Sequence, residues 1–348
     1  MEIRINRNEL VEALQITNLA VDSNAKLPIL NNILFEINES RLTITATDLE
    51  VFIRHSAKIN TDSKIRFTAP AKKIKDIIGS LPDAEITFGF NGSKNVLNIE
   101  ADKAKFSLKT LSADDFPRVE IAKKEKSIVM QQAVLKELLA RTIFAVSKDD
   151  TRHIITGICF EIKNKKITLA GTDGKRLAVA SHDISLDTED LKFILPAKAL
   201  KNLSQILQKD GDVSIYFDKS LASFEVSNTI LGVRLIEGEY PDYQKVIPNG
   251  TKIEFNLDVE KLKNATKRAS IITKDGSGVK YSFNKEKLII TACVSEMGEV
   301  KEELEVEGSE EIEIVFHAQY VLDALQNINS EKVVLVLNSN ISPAIIEP

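Results

Sequence analysis

Two stretches decide the fold: Leu42–Ala57, LTITATDLEVFIRHSA, and Ile167–Ser181, ITLAGTDGKRLAVAS. In each, an apolar-alternating run meets Thr-Asp, turns, and resumes as a second apolar run. That is the pattern of a β-hairpin with its turn at Thr47-Asp48 or at Thr172-Asp173-Gly174. Gly174-Lys175-Arg176 invites comparison with a phosphate loop. Such a loop needs several glycines and Lys-Ser or Lys-Thr at the mouth of a helix, whereas here Leu177-Ala178-Val179 follows. The segment reads as a strand continuing after a turn.

Working outward, the chain repeats itself. The two hairpins lie about 125 residues apart, an ordinary domain length. A weaker echo, LIITACVSEMGEV, begins at Leu288. FTAPAKKIKDIIGSLP from Phe67 matches FILPAKALKNLSQILQ from Phe193, and VFHAQYVLDALQNIN from Val315 takes the third slot. KFSLKTLSADDFPRVE from Lys105 pairs with LGVRLIEGEYPDYQKV from Leu231, but no third counterpart precedes the closing ISPAIIEP. The reading is three domains, 1–122, 126–248 and 251–348, the last expected to lack its final strand and C-terminal tail.

Each repeat carries two helical patterns. Leu10, Ala13 and Leu14 share a helix face, as do Leu135, Leu138, Leu139 and Thr142, and Leu262, Ala265, Ala269 and Ile272. A second helix follows at Ile74, Ile77, Ile78 and Leu81, and again at Leu200, Leu203, Ile206 and Leu207. Elsewhere the period is two, as in residues 212–217 and 332–337. Short strands in runs, with few crossover signals, predict an α+β fold: in each repeat, two helices packed on antiparallel sheet.

The 348 residues are 43% hydrophobic and 28% charged, as in globular proteins, and no run nears the ~18 apolar residues of a membrane span. The opening MEIRINRNEL lacks the apolar centre of a secretory signal, so a cytoplasmic protein with no membrane partner is expected. Cys159 and Cys293 lie apart in strand-like contexts and read as buried small hydrophobes. A net charge of −5 disfavours indiscriminate nucleic-acid binding. The predicted helices nevertheless collect Lys and Arg while acids such as Glu302, Glu303, Glu305 and Glu307 fall in strands and loops. A basic helical side could face a duplex backbone without reading sequence. No Trp and 6% aromatics argue against stacking on single strands.

Catalytic chemistry is missing. His55, His153, His182 and His317 have no ligand spacing and no local nucleophile, and the pairs Asp114-Asp115 and Asp149-Asp150 read as solvated loop acids. No catalytic residue, metal site or cofactor is assigned. The residues leave three classes open: a DNA-encircling tether, a repeat-built scaffold that binds only proteins, and an enzyme with a phosphate-binding hairpin at Gly174.

The repeated Thr-Asp turn, Leu27-Pro28-Ile29-Leu30, the Pro-Ala-Lys helix starts, and GTDGKRLAVAS with EGEYPDYQKVIP together resemble the bacterial DNA polymerase III beta subunit, the replicative sliding clamp. The resemblance spans the chain. It implies a non-catalytic processivity factor in DNA replication, a three-domain homodimer closed head to tail around duplex DNA, with a clamp loader, DNA polymerases and other clamp-binding-motif proteins as partners. It places Ile155, Thr172, Gly174, Lys175, Arg176, Leu177, Pro241 and Val246 in a client-peptide pocket, with Arg176 able to hold a polar group at the rim. His317, Tyr320, Ile341 and Pro343 would supply its other edge. Lys26, Lys73, Lys148, Arg152, Lys198 and Lys201 are implied DNA contacts, while Asn24 and Asp149 depart from the family pattern. Ile74, Ile78, Phe106 and Leu108 on one side, and Ile271 and Ile272 on the other, are the implied dimer interface.

Overall fold

The computed structural model describes residues 2–124, 127–184, 190–249, 252–273, 278–308 and 310–348. The first repeat runs β1 (Glu2–Asn6), α1 (Arg7–Thr17), β2 (Asn32–Asn38), β3 (Arg41–Thr47), β4 (Val51–Lys58), β5 (Ile65–Pro70), α2 (Ala71–Ser80), β6 (Glu85–Asn91), β7 (Val96–Ala101) and β8 (Ala104–Lys109). The second has the same order: β9 (Ser127–Gln131), α3 (Gln132–Ile143), β10 (Gly157–Lys163), β11 (Lys166–Thr172), β12 (Leu177–Asp183), β13 (Leu191–Pro196), α4 (Ala197–Ile206), β14 (Asp212–Phe217), β15 (Leu221–Val226) and β16 (Thr229–Arg234). The third runs β17 (Ile253–Asp258), α5 (Val259–Ile272), β18 (Gly278–Phe283), β19 (Lys287–Val294), β20 (Gly298–Glu305), β21 (Glu307–Gly308), β22 (Ile312–His317), α6 (Ala318–Gln326), β23 (Lys332–Leu337) and β24 (Ile345–Glu347). Two strands follow α6, against three after α2 and after α4.

The helix starts follow from local chemistry. Asn6 Oδ1 accepts the Asn8 amide at 2.8 Å, and Asp258 Oδ1 accepts the Lys261 amide at 2.8 Å, each satisfying a free donor in a first turn. α2 and α4 instead begin behind Pro70 and Pro196, whose fixed φ suits the entry and which have no N–H to leave unpaired. The predicted faces are the buried ones: Leu10, Ala13 and Leu14 on α1, Leu200, Leu203 and Ile206 on α4, Leu262, Ala265 and Ala269 on α5.

By contact density the chain forms two compact units. One comprises Met1–Leu139, Cys159–Ile167 and Ser181–Glu237; the other comprises Ala140–Ile158, Thr168–Ala180 and Gly238–Pro348. The first contains an eight-stranded sheet, β5-β2-β3-β4-β16-β15-β14-β9, in which β4 and β16 of different repeats pair antiparallel, Ile53 opposite Leu231. It also holds the sheet β1-β6-β7-β8. Its core carries the repeat in aromatic form. Phe35, Phe67 and Phe90 stack at 4.9 and 5.3 Å, and Phe160, Phe193 and Phe217 stack at 5.3 and 5.6 Å. Phe35, Phe67 and Phe160 are fully buried, each worth ~1.5–3 kcal/mol in transfer terms.

The second unit contains the sheets β21-β17-β23-β24 and β20-β19-β18-β22, with α5 and α6 packed together over them. Phe255 stacks on Phe283 at 4.2 Å, and the buried Tyr281 hydroxyl shares a 2.8 Å hydrogen bond with Thr266 of α5. Burial pushes the Tyr281 phenol up to about 12 against the pull of that hydrogen bond. The fifth sheet, β12-β11-β10-β13, is not confined to either unit and carries the quoted second hairpin.

The cysteine reading is corrected in part. Cys159 is buried, and desolvation raises its thiol to about 12. Cys293 is exposed near the end of β19, because the period-two pattern there points it away from the core that takes Ala292. Among the described residues, no helix is long and apolar enough to cross a membrane.

Candidate protein-binding groove and ring surfaces

The Thr-Asp turns of the first two repeats are built alike, bond for bond. In the first, Thr47 Oγ1 donates to the Val51 carbonyl at 2.9 Å and accepts the Leu49 amide at 3.0 Å. Asp48 Oδ1 accepts the amides of Glu50 and Val51 at 3.1 and 2.7 Å. In the second, Thr172 Oγ1 donates to the Arg176 carbonyl at 2.6 Å and accepts the Gly174 amide at 3.0 Å. Asp173 Oδ1 accepts the amides of Lys175 and Arg176 at 2.8 and 3.0 Å. The third residue of both turns is left-handed, Leu49 at φ 80° and Gly174 at φ 84°. Glycine adopts that conformation without steric cost; leucine does not.

The remaining oxygen of each aspartate holds a cation. Asp48 Oδ2 takes Lys198 at 2.9 Å, and that hydrogen bond raises the lysine above its ordinary pKa. Asp173 Oδ2 takes the Nε of Arg176 at 3.1 Å. Arg176 reaches further: Nη1 bonds Asp323 Oδ2 of α6 at 2.5 Å, and Nη2 donates to the Phe144 carbonyl at 2.7 Å. Its guanidinium lies 4.5 Å from the Tyr320 ring centroid and 5.5 Å from that of Phe144. Tyr320 in turn stacks on His317 at 4.5 Å. This corrects the rim role expected of Arg176. Three of its donor nitrogens serve the protein, and its side chain is only 16% exposed.

The other wall comes from Tyr240-Pro241. The Tyr240 hydroxyl accepts the Thr172 amide at 3.1 Å, fixing the exposed Pro241 one residue beyond. Val246 ends a short 3-10 turn and is 59% exposed; Ile341 is 91% exposed. Ile155, Leu177 and Tyr320 are half-buried, while Lys175, His317 and Pro343 are exposed. All twelve expected client-site residues belong to the second compact unit. Hydrogen bonds and ring stacking bring Thr172, Gly174, Arg176, His317 and Tyr320 together. Pro241, Val246, Ile341 and Pro343 stay solvent-facing, as a surface awaiting an apolar partner would.

Sequence reading missed Asp323, Phe144 and Tyr240. Asp323 stands three residues after Tyr320 on α6, and nothing in its neighbourhood signals a partner 147 residues away.

The expected DNA contacts divide. Lys26, Lys73, Lys148 and Lys201 are exposed and unpaired, whereas Lys198 is bound to Asp48. Arg152 is tied by its Nε to Asp149 at 3.3 Å and by Nη1 to the Asp173 carbonyl at 3.0 Å. It braces the turn. Asp149 itself accepts the Thr151 hydroxyl and amide, which together with Arg152 hold its carboxyl below the usual range. The basic-helix reading is similarly trimmed: Arg7 caps the Ile78 and Gly79 carbonyls, Lys136 caps that of Leu207, and Arg268 pairs with Glu302 at 2.6 Å.

The interface list also needs correction. Ile74 and Ile78 are fully buried in the core of their own unit and cannot meet a second chain, because the apolar stripe of α2 faces the sheet. Phe106 and Leu108 are half-buried on β8, an edge strand. Ile271 is 69% exposed at the end of α5, and Ile272 is half-buried. Strand β20, outside the sequence-based interface list, is likewise an edge, with Val300, Glu302 and Leu304 half-buried between exposed charged residues. Among the described residues, no group of His, Cys, Asp and Glu is placed to hold a metal.

Three family models match consecutive parts of the chain: the DNA polymerase III beta subunit N-terminal domain over residues 1–120, its central domain over 129–242, and its C-terminal domain over 244–348. The beta sliding clamp of Vibrio cholerae is 32% identical over 353 residues, covering 100% of this chain and 96% of the relative. That of Chlamydia muridarum is 31% identical over 349 residues, covering 99% and 95%. Among solved structures, the DnaN sliding clamp of Pseudomonas aeruginosa bound to griselimycin superposes with a TM-score of 0.95 at 30% identity, covering 99% of this chain and 95% of that one. The beta subunit from the DNA polymerase of Streptococcus pyogenes gives 0.96 at 26% identity, covering 100% and 96%.

Proposed function

Because the chain belongs to the DNA polymerase III beta subunit family, the non-catalytic processivity clamps of DNA replication, we propose that two copies join head to tail through β8 of one and β20 of the other. The resulting ring encircles duplex DNA without reading its sequence.

The observation that carries this reading is the β4·β16 pair. There, the third strand after the first helix of one repeat pairs with the third strand after the second helix of another. β20 and β8 hold those same places in the third and first repeats, yet both are unpaired edges. Bare edges of alternating apolar residues invite strand addition. Transferring the β4·β16 register sets Phe106 opposite Val300, since each is the third residue of its strand, as Leu231 and Ile53 are of theirs. The net charges are opposite, though not pair by pair: β8 carries Lys105 and Lys109 and no acid, and β20 carries Glu299, Glu302, Glu303 and Glu305 against one cation, Lys301, which this register sets opposite Lys105. A two-fold pair of such junctions leaves neither β8 nor β20 bare in either copy.

The domain limits 1–122, 126–248 and 251–348 make each repeat one clamp domain of the ring. Exposed Lys26, Lys73, Lys148 and Lys201 supply unpaired charge for the phosphate backbone. The surface around Thr172, Gly174, Leu177, Pro241, Val246, Ile341 and Pro343 takes short apolar clamp-binding peptides of polymerases, repair proteins and the clamp loader, in the cytoplasm. Two measurements test this. Sedimentation at micromolar concentration should give a dimer, and Phe106→Asp should give a folded monomer. The dimer should stay on nicked circular DNA and be lost when the circle is cut. A strict wild-type monomer, or equal retention on linear DNA, refutes the ring.

A further inference from the structure

We propose that Asp323 is a positioning residue of the client groove: it holds Arg176, and through Arg176 it sets the ring of Tyr320 against the Thr172 turn. This deepens the groove reading above and rests on it. Arg176 sits where segments from three parts of the chain converge: the Asp173 turn, Phe144 after α3, and Tyr320 and Asp323 on α6. Its side chain is 16% exposed and that of Asp323 22%, so the pair is largely shielded from water. Both Asp323 oxygens are used, Oδ2 on Arg176 and Oδ1 on the Gln319 amide at 2.7 Å. Its backbone carbonyl accepts the Asn327 side-chain amide at 2.8 Å, which pins this part of α6.

The guanidinium is flat and directional, so fixing three of its nitrogens fixes its plane. Tyr320 rests on that plane at 4.5 Å with His317 stacked at 4.5 Å. Tyr320 is the groove residue; Asp323 acts on the groove at one remove. There is also a consequence for charge. One guanidinium faces two carboxylates, Asp173 and Asp323, so Arg176 itself is not a spare cation for a client's acidic group; exposed Lys175 is the cation of this turn. Arg176 therefore serves the groove by shaping it, with Tyr320 as one fixed edge.

The test uses the full chain and a fluorescein-labelled Gln-Leu-Ser-Leu-Phe peptide, read by anisotropy. Asp323→Asn keeps the shape and removes the charge; Asp323→Ala, Arg176→Lys and the double variant Arg176→Lys/Asp323→Ala complete a cycle. The chain has no Trp and five Tyr, so the Tyr320 environment can be read from tyrosine fluorescence, with Tyr320→Phe as the reference. Losing a charge-assisted contact at this depth corresponds to about a 10- to 100-fold weaker peptide affinity in Asp323→Ala. The Tyr320 signal should shift equally in Asp323→Ala and Arg176→Lys, and the double variant should be no worse than the poorer single one. Asp323→Asn should fall between, and serves alone if the alanine variant does not fold. Unchanged affinity in both Asp323 variants, or strictly additive losses with a constant Tyr320 signal, overturns the positioning role. Absence of binding by the wild-type chain overturns the groove reading itself, and the proposal with it.

Discussion

Gly171 tests the packing behind the groove most directly. It precedes Thr172 at the end of β11, and a Cβ added there would lie 2.6 Å from the Thr142 carbonyl oxygen and 2.8 Å from Ile158 Cδ1. The first neighbour is backbone in the last turn of α3 and cannot rotate away. Gly171→Ala must therefore push β11 and α3 apart by several tenths of an ångström. Overpacking of this kind costs about 2 to 3 kcal/mol. The control is Gly79→Ala: Gly79 lies in α2 with nothing within 4 Å of its Cβ position, so alanine there should stabilise by ~0.5–1 kcal/mol through helix propensity. Urea unfolding followed by circular dichroism should move the midpoint down for the first variant and up for the second. Because Gly171 carries the Thr172 turn, Gly171→Ala should also weaken peptide binding, whereas Gly79→Ala should not. A Gly171→Ala protein within ~0.5 kcal/mol of wild type, with unaltered peptide affinity, would refute the claim that this close approach sets the turn.

Other consequences follow from buried polar groups. Tyr281→Phe leaves the Thr266 hydroxyl without its 2.8 Å partner and should cost about 1 to 2 kcal/mol; a neutral result would show the hydroxyl finds another acceptor at no loss. In the folded chain Tyr281 should resist ionisation until about pH 12. Its raised value means the unfolded chain releases the proton first, so stability should decline as pH rises above about 10, and an alkaline titration in which all five tyrosines ionise together near 10 would contradict this. His55, whose Nδ1 lies 2.9 Å from the Thr229 hydroxyl, is held below the ordinary histidine value by burial, against the pull of Glu12. Its contribution is complete above about pH 6.5 and is lost as pH falls from there toward the lowered folded value, since the unfolded chain binds the proton first. His55→Gln should flatten the fall in stability just below about pH 6.5, and an unchanged slope would assign that window to other groups.

Much of this molecule was legible in the linear chain because repetition supplies its own control. The hairpins at residues 42–57 and 167–181, the Pro-Ala-Lys helix starts and the period-two runs recur in the same order, and local chemistry forms each of them. Turn residues, helix faces and strand alternation depend on neighbours within a few positions, so they can be read without knowing what lies opposite. The Thr-Asp turns are the clearest case: threonine and aspartate side chains close on their own backbone, giving the same four bonds twice.

What only tertiary structure decided is how charged and apolar side chains divide between internal and external work. The same residue types on α2 and β8 read alike as interface, yet Ile74 and Ile78 fill a core while Phe106 lies on an open edge. Lys73 and Lys198 are both helical cations, but only Lys198 meets an aspartate 150 residues distant. The motif marked Arg176 as a candidate groove residue. Its task was not legible there, because Asp323 and Phe144 reach it only after distant segments have packed. Such pairings depend on distances across the fold that no local sequence pattern encodes.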